Sequence, residues 1–333
     1  MNGLETISEP LLLTKAIAKR LPDDNEKVML GQSVIITGMH KSGTSLTASV
    51  LQAAGIHIGE TLMGPGPGNR LGHFEDMDLY SLHYDVLAYL GIHTDGWETQ
   101  SGLQMPQQFL PAVNDLLHRK QQVDRVWGWK EPRTTLFLDF WKQALPTAKF
   151  VFVYRNPWDV VDSLFRRGDR IFDSNPEAAI EAWMTYNTAI IDFCRCHSSD
   201  SFLFDVGNYE KGEKRILKQL CDKLNVVLDL SCCAKYQRSE LHETGENNCG
   251  FAILQQYYPQ AIDLYGELGQ IADMPLIQAS HQPANSANES CQFVSFQDWL
   301  EIRRQAKDIE ATRAELREFH TQLQQFQSKV SKA

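Results

Sequence analysis

Short apolar runs alternate with amphipathic stretches along the first two thirds of the chain. Four runs rich in β-branched and aromatic residues predict buried strands at 33–37, 126–129, 150–154 and 202–206. Helical spacing and start signals predict helices between and after them, at 44–54, 76–90, 133–144, 158–167 and 210–224. Strands that alternate with helices are typical of a parallel, doubly wound sheet. We therefore predict an α/β fold whose parallel sheet is flanked by helices.

The same pattern divides the chain into four parts. The α/β domain occupies residues 31–278, after an N-terminal extension over 1–30 that contains a predicted helix at 11–20. Residues 279–292 are polar and rich in Asn, Ser and Gln, as expected of a linker. Residues 293–333 follow as a separate helical tail.

Apolar residues recur every seven positions in this tail, at Ile302, Ile309, Leu316, Leu323 and Val330. A seven-residue repeat is typical of a helix that pairs with another helix as a coiled coil. Gln305 and Thr312 interrupt the accompanying apolar row, so a helix that folds back on its own domain is the alternative. We favour the coiled coil, which would make the protein a homo-oligomer.

Composition places the chain among globular proteins. Of its 333 residues, 43% are hydrophobic and 22% are charged, which is an ordinary balance. No apolar run approaches the roughly 20 residues that span a bilayer. Glu5 and Glu9 precede a short apolar patch at 11–13, whereas a signal peptide begins with basic residues. We therefore expect a cytoplasmic protein without a transmembrane segment.

Charge is distributed unevenly along the chain. The formal net charge of -10 argues against a nucleic-acid partner. Residues 125–170 nevertheless contain nine basic and five acidic residues, a balance that suits a small polyanionic ligand. The seven cysteines have neither the spacing of a disulfide framework nor a second Cys/His pair at zinc-like spacing. We predict no metal site.

The strongest motif follows the first strand and reads Gly38-Met-His-Lys41-Ser42-Gly43-Thr44-Ser45. In a strand–turn–helix setting, the N–H groups of the turn and of the first helical turn have no partner within the helix. Together with the helix dipole they form an anion site. The Lys41 ammonium adds a positive charge, and the hydroxyls of Thr44 and Ser45 add hydrogen bonds.

This motif differs from a nucleotide triphosphatase loop. The spacing of Gly38 and Gly43 resembles a Walker P-loop, but Thr44 stands where the triphosphatase has lysine. The strand at 150–154 is followed by Arg155 rather than by an Asp that would hold Mg²⁺. A P-loop kinase or ATPase is therefore an alternative to a site that binds its anion without metal.

A second motif begins where the strand at 150–154 ends. It contains Arg155, then Ser163 eight residues later, and Arg167 beyond. Open α/β sheets bind ligands at the carboxyl ends of their strands, which is where this motif places Arg155. A helix that folds back across the strand end would bring Arg155 and Ser163 around one phosphate.

The two motifs together resemble those of the sulfotransferases that use 3′-phosphoadenosine 5′-phosphosulfate (PAPS), with similarities to carbohydrate and tyrosylprotein sulfotransferases. The resemblance covers about residues 33–224 and implies a P-loop-like fold. It implies that Lys41, Ser42, Gly43, Thr44 and Ser45 bind the 5′-phosphosulfate. Arg155 and Ser163 match the 3′-phosphate motif. Arg167 matches a further cofactor-binding arginine, and Tyr209 is a weaker match to a cofactor-contacting tyrosine.

The resemblance implies transfer of a sulfuryl group from PAPS to a hydroxyl acceptor by metal-independent in-line displacement, which leaves PAP. Lys130 resembles the lysine of the family's Lys-x-Pro segment, and we expect Lys130 and Lys41 to stabilise charge in the transition state. The acceptor hydroxyl also needs a base. We choose Glu75, at the end of a Gly/Pro-rich loop, over His73 and Glu60.

The acceptor is less well defined by the sequence. A glycan, a small alcohol or phenol, and a tyrosyl protein all fit a hydroxyl acceptor. The Gly/Pro-rich loop at 60–72 and Trp97, which we expect to be exposed, favour a glycan. A non-catalytic coiled-coil scaffold that retains the nucleotide site is the remaining alternative.

Overall fold

The computed structural model describes residues 32–66, 69, 72–97, 100–123, 125–231, 248–276 and 295–330. The predicted helix at 11–20 and the polar linker at 279–292 lie outside these residues. The proposed boundaries between the four parts of the chain therefore stay predictions.

Four parallel strands pair in the order β2-β1-β3-β4. They are β1 (Ser33–Thr37), β2 (Trp127–Lys130), β3 (Lys149–Tyr154) and β4 (Ser201–Asp205). The chain places β2 on one side of β1, then returns to the other side for β3 and β4. The parallel, doubly wound sheet is therefore confirmed, and the strand order reverses direction at β1.

Both faces of the sheet are buried under apolar side chains. In β1, Val34 and Ile36 join one apolar cluster while Ile35 joins the other. The same alternation continues in β3, where Val151 and Phe152 lie on opposite faces. Successive strand residues point to opposite faces, so a continuous apolar run fits a strand that is covered on both sides.

Helices cover the two faces of this sheet and extend beyond it. They are α1 (Thr44–Ala53), α2 (Met77–Tyr89), α3 (Leu110–Lys120), α4 (Leu138–Ala144), α5 (Pro157–Arg167), α6 (Ile171–Ser174), α7 (Ala178–Cys196), α8 (Glu213–Leu224), α9 (Asn248–Tyr257), α10 (Pro259–Ile271) and α11 (Phe296–Val330). The predicted C-terminal helical region is present as α11. Among the residues that the structure describes, no helix combines the length and apolar character that a membrane span requires.

One predicted helix is divided in two. Residues 133–144 were expected to form a single helix, whereas Pro132–Phe137 form a 3₁₀ helix that precedes α4. The Thr37 hydroxyl lies 3.0 Å and 3.2 Å from the carbonyl oxygens of Glu131 and Pro132. The Glu131 carboxylate accepts a bond from the Thr134 N–H. These contacts hold residues 132–137 against the end of β1. The backbone carbonyl and N–H groups that they engage are then not available for the hydrogen bonds of a regular α-helix.

Candidate anion-binding and transfer site

A cleft opens at the carboxyl ends of β1, β2 and β3, where the strand order reverses. Such a switch point is the usual ligand site of an open α/β sheet. The cleft brings together most of the residues that the sequence singled out, namely Lys41, Gly43, Thr44, Ser45, His73, Glu75, Lys130, Arg155, Ser163 and Arg167. These residues come from four separate segments of the chain, at 41–45, 73–75, 130 and 155–167, and the fold makes them neighbours.

The loop between β1 and α1 has the backbone conformation that an anion site needs. Lys41 and Gly43 both adopt positive φ, at 66° and 96°. A side chain at Gly43 would place its Cβ 2.4 Å from the Val206 side chain, so only glycine fits there. Among the described residues, no side chain caps α1 and its first turn contains no acidic residue. The first N–H groups of α1 are therefore directed at the cleft without a competing carboxylate.

The environment of Lys41 in this loop suits an anion, whereas Ser42 is not part of the cleft lining. Ser42 is fully buried, and its hydroxyl has no hydrogen-bond partner among the described residues. Ser42 lies behind the loop rather than on the cleft wall. Burial, followed by the charges of Arg167, Arg166 and Arg155, lowers the pKa of Lys41 to about 8. A lysine surrounded by other cations is suited to an anionic ligand, because the anion would favour its charged form.

The α5 segment is shaped to present its basic residues. The Asn156 side chain caps α5 by accepting from the Asp159 N–H at 2.8 Å. Asp159 in turn lies 3.3 Å from the Arg155 guanidinium. Arg155 and Ser163 both line the cleft, so the start of α5 brings them to one place.

Arg167, at the end of α5, is also held in place. Its Nε donates to Asp169 at 2.7 Å, and its guanidinium carbon lies 5.2 Å from the centre of the Trp97 ring. The carboxylate and the ring fix the guanidinium at the edge of the cleft.

The predicted catalytic pair is joined directly. The Lys130 ammonium donates to the Glu75 carboxylate at 2.8 Å and to the His73 carbonyl at 3.0 Å. The Ser45 hydroxyl donates to the same His73 carbonyl at 3.0 Å. Lys130 does not pair with Glu131, which instead binds His83 and Arg133 at 2.6 Å each. The segment at 73–75 is thus attached both to α1 and to the end of β2.

The three candidate bases differ in their position relative to the cleft. Glu75 and His73 line the cleft, whereas Glu60 lies outside the cleft lining. The Glu60 side chain is 81% exposed and contacts His57 at 3.0 Å. Burial lowers the pKa of His73, and the charges of Lys130 and Lys41 lower it further against the opposing charge of Glu75.

One aromatic residue next to the cleft, Trp97, differs from the sequence prediction. Trp97 was expected to be exposed but is only 6% exposed, so it offers no open stacking surface for a sugar. It packs against Phe172 and His40, with ring centres 5.2 Å and 4.9 Å away. The apolar ring is buried because α6 and the loop after β1 close over it.

His40 was missed by the sequence reasoning. It lines the cleft beside Lys41, and burial followed by the charge of Arg167 keeps the pKa of its imidazole well below the usual value. Its Nε2 has no hydrogen-bond partner among the described residues. The signal available in the sequence was its position inside the loop, next to Lys41.

Tyr209 takes a supporting position. Its hydroxyl donates to the Thr47 hydroxyl at 3.3 Å, on the buried side of α1. Tyr209 is not among the residues that line the cleft.

Within the described part of the chain there is no group of three or more His, Cys, Asp and Glu side chains placed to hold a metal ion. Metal independence stays a prediction.

The site thus combines an uncapped helix N-terminus after β1 with arginines after β3 and on α5, an arrangement suited to an anionic ligand. The chain belongs to the sulfotransferase family, since the family model described as "Sulfotransferase family" matches residues 33–226. This match spans both motifs and all four strands. A comparison with curated protein sequences found no match.

Three solved structures resemble the chain loosely. A sulfotransferase from Alicyclobacillus acidocaldarius is 13% identical, with a TM-score of 0.43 over 74% of this chain and 97% of the other. The sulfotransferase domain of the Synechococcus PCC 7002 olefin synthase is 18% identical, with a TM-score of 0.41 over 72% and 92%. Mouse sulfotransferase SULT7A1, solved in complex with PAP, is 13% identical, with a TM-score of 0.37 over 79% and 90%. The family assignment depends on the sequence match and not on these similarities.

Proposed function

We propose that the protein transfers a sulfuryl group from PAPS to a hydroxyl acceptor. The observation that carries this proposal is the convergence of Lys41, Lys130, Arg155 and Arg167 on the open N-terminus of α1. A site of this kind suits a ligand with two separate anionic groups, as PAPS has. Family membership makes sulfuryl transfer a better fit than the phosphoryl transfer of a P-loop kinase.

The residues divide into two binding groups. Lys41, Gly43, Thr44 and Ser45 would hold the phosphosulfate, by N–H groups, hydroxyls and one ammonium. Arg155 and Ser163, with Arg167 beside them, would hold the 3′-phosphate. When bound, PAPS supplies the sulfuryl group and a phosphate leaving group.

Glu75 and Lys130 would act as a coupled pair. The Glu75 carboxylate, 2.8 Å from the Lys130 ammonium, would take the proton of the acceptor hydroxyl. Once Glu75 is neutral, the charge of Lys130 is no longer balanced by it. Lys130 then stabilises the negative charge that develops during transfer. One ion pair therefore links proton removal to charge stabilisation.

The acceptor class has less support than the donor. Because Trp97 is buried, the remaining support for a glycan is the Gly/Pro-rich loop at 60–72. Two residues of this loop, Asn69 and Gly72, line the cleft. We propose a hydroxyl acceptor, with a glycan as the first class to be screened. A cytoplasmic location stays a prediction.

Calorimetric titration with PAP tests the donor site. The wild-type chain should bind PAP, and EDTA should leave its affinity unchanged. Arg155→Ala should weaken binding by roughly tenfold to a hundredfold, because a charge-assisted contact contributes about 1.5–3 kcal/mol. Arg195→Ala is the matched control, since Arg195 pairs with Glu267 far from the cleft lining.

Other outcomes of the titration would contradict the proposal. Equal PAP affinity of wild type and Arg155→Ala would remove Arg155 from the site. Loss of PAP binding in EDTA would contradict metal independence. Tighter binding of ATP with Mg²⁺ than of PAP would favour the kinase alternative. Transfer of radiolabelled sulfate from PAPS to a panel of glycans, alcohols, phenols and tyrosyl peptides would identify the acceptor.

A further inference from the structure

Among the residues whose side chains the structure describes, the C-terminal helix α11 contacts the rest of the domain only near its start. Phe296, Trp299 and Leu300 are buried against the domain, at 3%, 3% and 1% exposure. From Gln305 to Gln322 the described side chains are exposed, apart from the half-buried Ala306. The helix therefore leaves the domain after about three turns.

The start of α11 is anchored on α5, the helix that carries Ser163 and Arg167. The buried Asp162 carboxylate accepts from the Trp299 indole at 2.9 Å and from the Arg303 guanidinium at 2.5 Å. The Lys307 ammonium donates to the Arg167 carbonyl at 3.1 Å. A buried carboxylate with two donors from α11 fixes the direction in which the helix leaves the domain.

The exposed part of α11 carries an apolar stripe. Ile302, Ile309, Leu316 and Phe319 are 52%, 52%, 59% and 63% exposed. A lone helix gains little from such residues in water, because most helical stability comes from burying an apolar face. The stripe therefore indicates a surface that another helix covers.

The spacing of the stripe identifies the kind of helix that would cover it. The apolar positions recur every seven residues and continue in the sequence at Leu323 and Val330. A seven-residue repeat that extends over about four heptads is the repeat of a left-handed coiled coil. A second copy of this chain supplies the same repeat in the same register.

The charges beside the stripe select the parallel orientation. With Ile309 and Leu316 at core positions a, the flanking g positions are Asp308 and Glu315, and the e positions are Arg313 and His320. In a parallel pair each g residue faces the e residue five positions later on the other helix. Asp308 then faces Arg313 of the second copy, and Glu315 faces His320. In an antiparallel pair g residues face g residues, which sets acidic positions against acidic positions.

We infer that residues 302–330 form a parallel, two-stranded coiled coil with a second copy of this chain, so that the protein is a homodimer. The interface consists of the exposed stripe and its flanking charges. Beyond Lys307, which still contacts α5, the described side chains of this interface are exposed, so the stripe is open to a second copy.

Light scattering on the full chain after size exclusion tests this inference. The wild-type chain should have twice the mass of one chain at micromolar concentration. Ile309→Asp with Leu316→Asp should give a single-chain mass and leave PAP affinity unchanged. Ala311→Asp with Ala314→Asp is the matched control, because it adds the same charge to the outer face of the same exposed helix and should stay dimeric.

A charge exchange tests the orientation. Asp308→Arg with Glu315→Arg sets like charges against each other in a parallel pair, so the dimer should dissociate at least tenfold more readily. In an antiparallel pair the same exchange replaces one like-charge contact by another, and the dissociation constant would hardly change. Mixing this variant with Arg313→Glu, His320→Glu chains should restore a dimer, because opposite charges face each other again.

A single-chain mass for the wild type would overturn the inference and would favour a helix that packs only on its own domain. A dimer that survives Ile309→Asp with Leu316→Asp would also overturn it, since the interface would then lie elsewhere. An unchanged dissociation constant for Asp308→Arg with Glu315→Arg would overturn the parallel arrangement.

Discussion

Folding lowers the pKa of Lys41, a residue that lines the proposed anion site. Its pKa of about 8 means that a rising pH removes its charge at the place where an anion would bind. We predict that PAP affinity falls between pH 7 and pH 9.5. We also predict that binding near pH 8 takes up part of a proton, because a bound anion raises the pKa of Lys41.

Calorimetry in two buffers with different heats of ionisation measures this proton uptake directly. Lys41→Met should bind PAP more weakly and without the pH dependence above pH 7. If wild type and Lys41→Met show the same pH profile, the titrating group is not Lys41.

Glu75 and His73 lie in the same cleft, and kinetics can separate them. Glu75→Gln keeps the shape of the side chain but cannot accept a proton, so turnover should fall by about 10²–10⁴-fold while PAP affinity is retained. His73→Asn should keep turnover within a few-fold, because the His73 backbone carbonyl, which holds Lys130 and Ser45, is unchanged. The opposite pattern would assign the base to His73.

Single residues were predictable from sequence where a local motif encodes them. The loop at 38–45 and the pair Arg155 and Ser163 lie within short, recognisable segments. The pairing of Lys130 with Glu75 could not be predicted from a local motif. The two residues are 55 positions apart and meet only after the sheet forms. Trp97 was placed wrongly, because its burial depends on packing against Phe172 and His40.

At the scale of elements, the sheet depends on one close strand contact. Gly128 in β2 lies against the backbone of β1, and a Cβ there would be 1.7 Å from the Val34 carbonyl oxygen. We predict that Gly128→Ala destabilises the domain by about 3 kcal/mol or more, since strand backbones cannot yield as side chains do. Denaturant unfolding measures the change.

Gly266→Ala is the control for that prediction. Gly266 is an exposed residue inside α10, and a Cβ there meets nothing within 4 Å. Alanine should stabilise the helix by about 0.5–1 kcal/mol. Equal stability of Gly128→Ala and wild type would show that the two strands can separate to admit a methyl group.

Strands were easier to predict than helix boundaries. Each predicted strand lies within one residue of the observed one, because a strand buried on both faces requires an unbroken apolar run. The helix at 133–144 was predicted from spacing alone. The Thr37 side chain, almost a hundred positions earlier, contributes to its division, and periodicity contains no information about that contact.

At the scale of the whole molecule, the heptads predicted an interaction surface but not its attachment. The spacing of Ile302, Ile309 and Leu316 is visible in the sequence. The contact of Trp299 with Asp162 joins positions 137 apart and depends on the folded domain. The alternative of a helix packed on its own domain holds for the start of α11, whereas the coiled coil beyond it stays a prediction.

The burial of Lys41 has a consequence for the stability of the entire domain. A lysine whose pKa falls from 10.5 to about 8 on folding disfavours the folded state by about 3 kcal/mol below pH 8. This penalty disappears as the pH rises from about 8 through 10.5, because the unfolded chain then also loses the proton. An anion in the cleft relieves the same penalty at neutral pH. Bound PAPS is thus expected to stabilise the domain as well as to react in it, so the folded protein is most stable with its sulfuryl donor in the cleft.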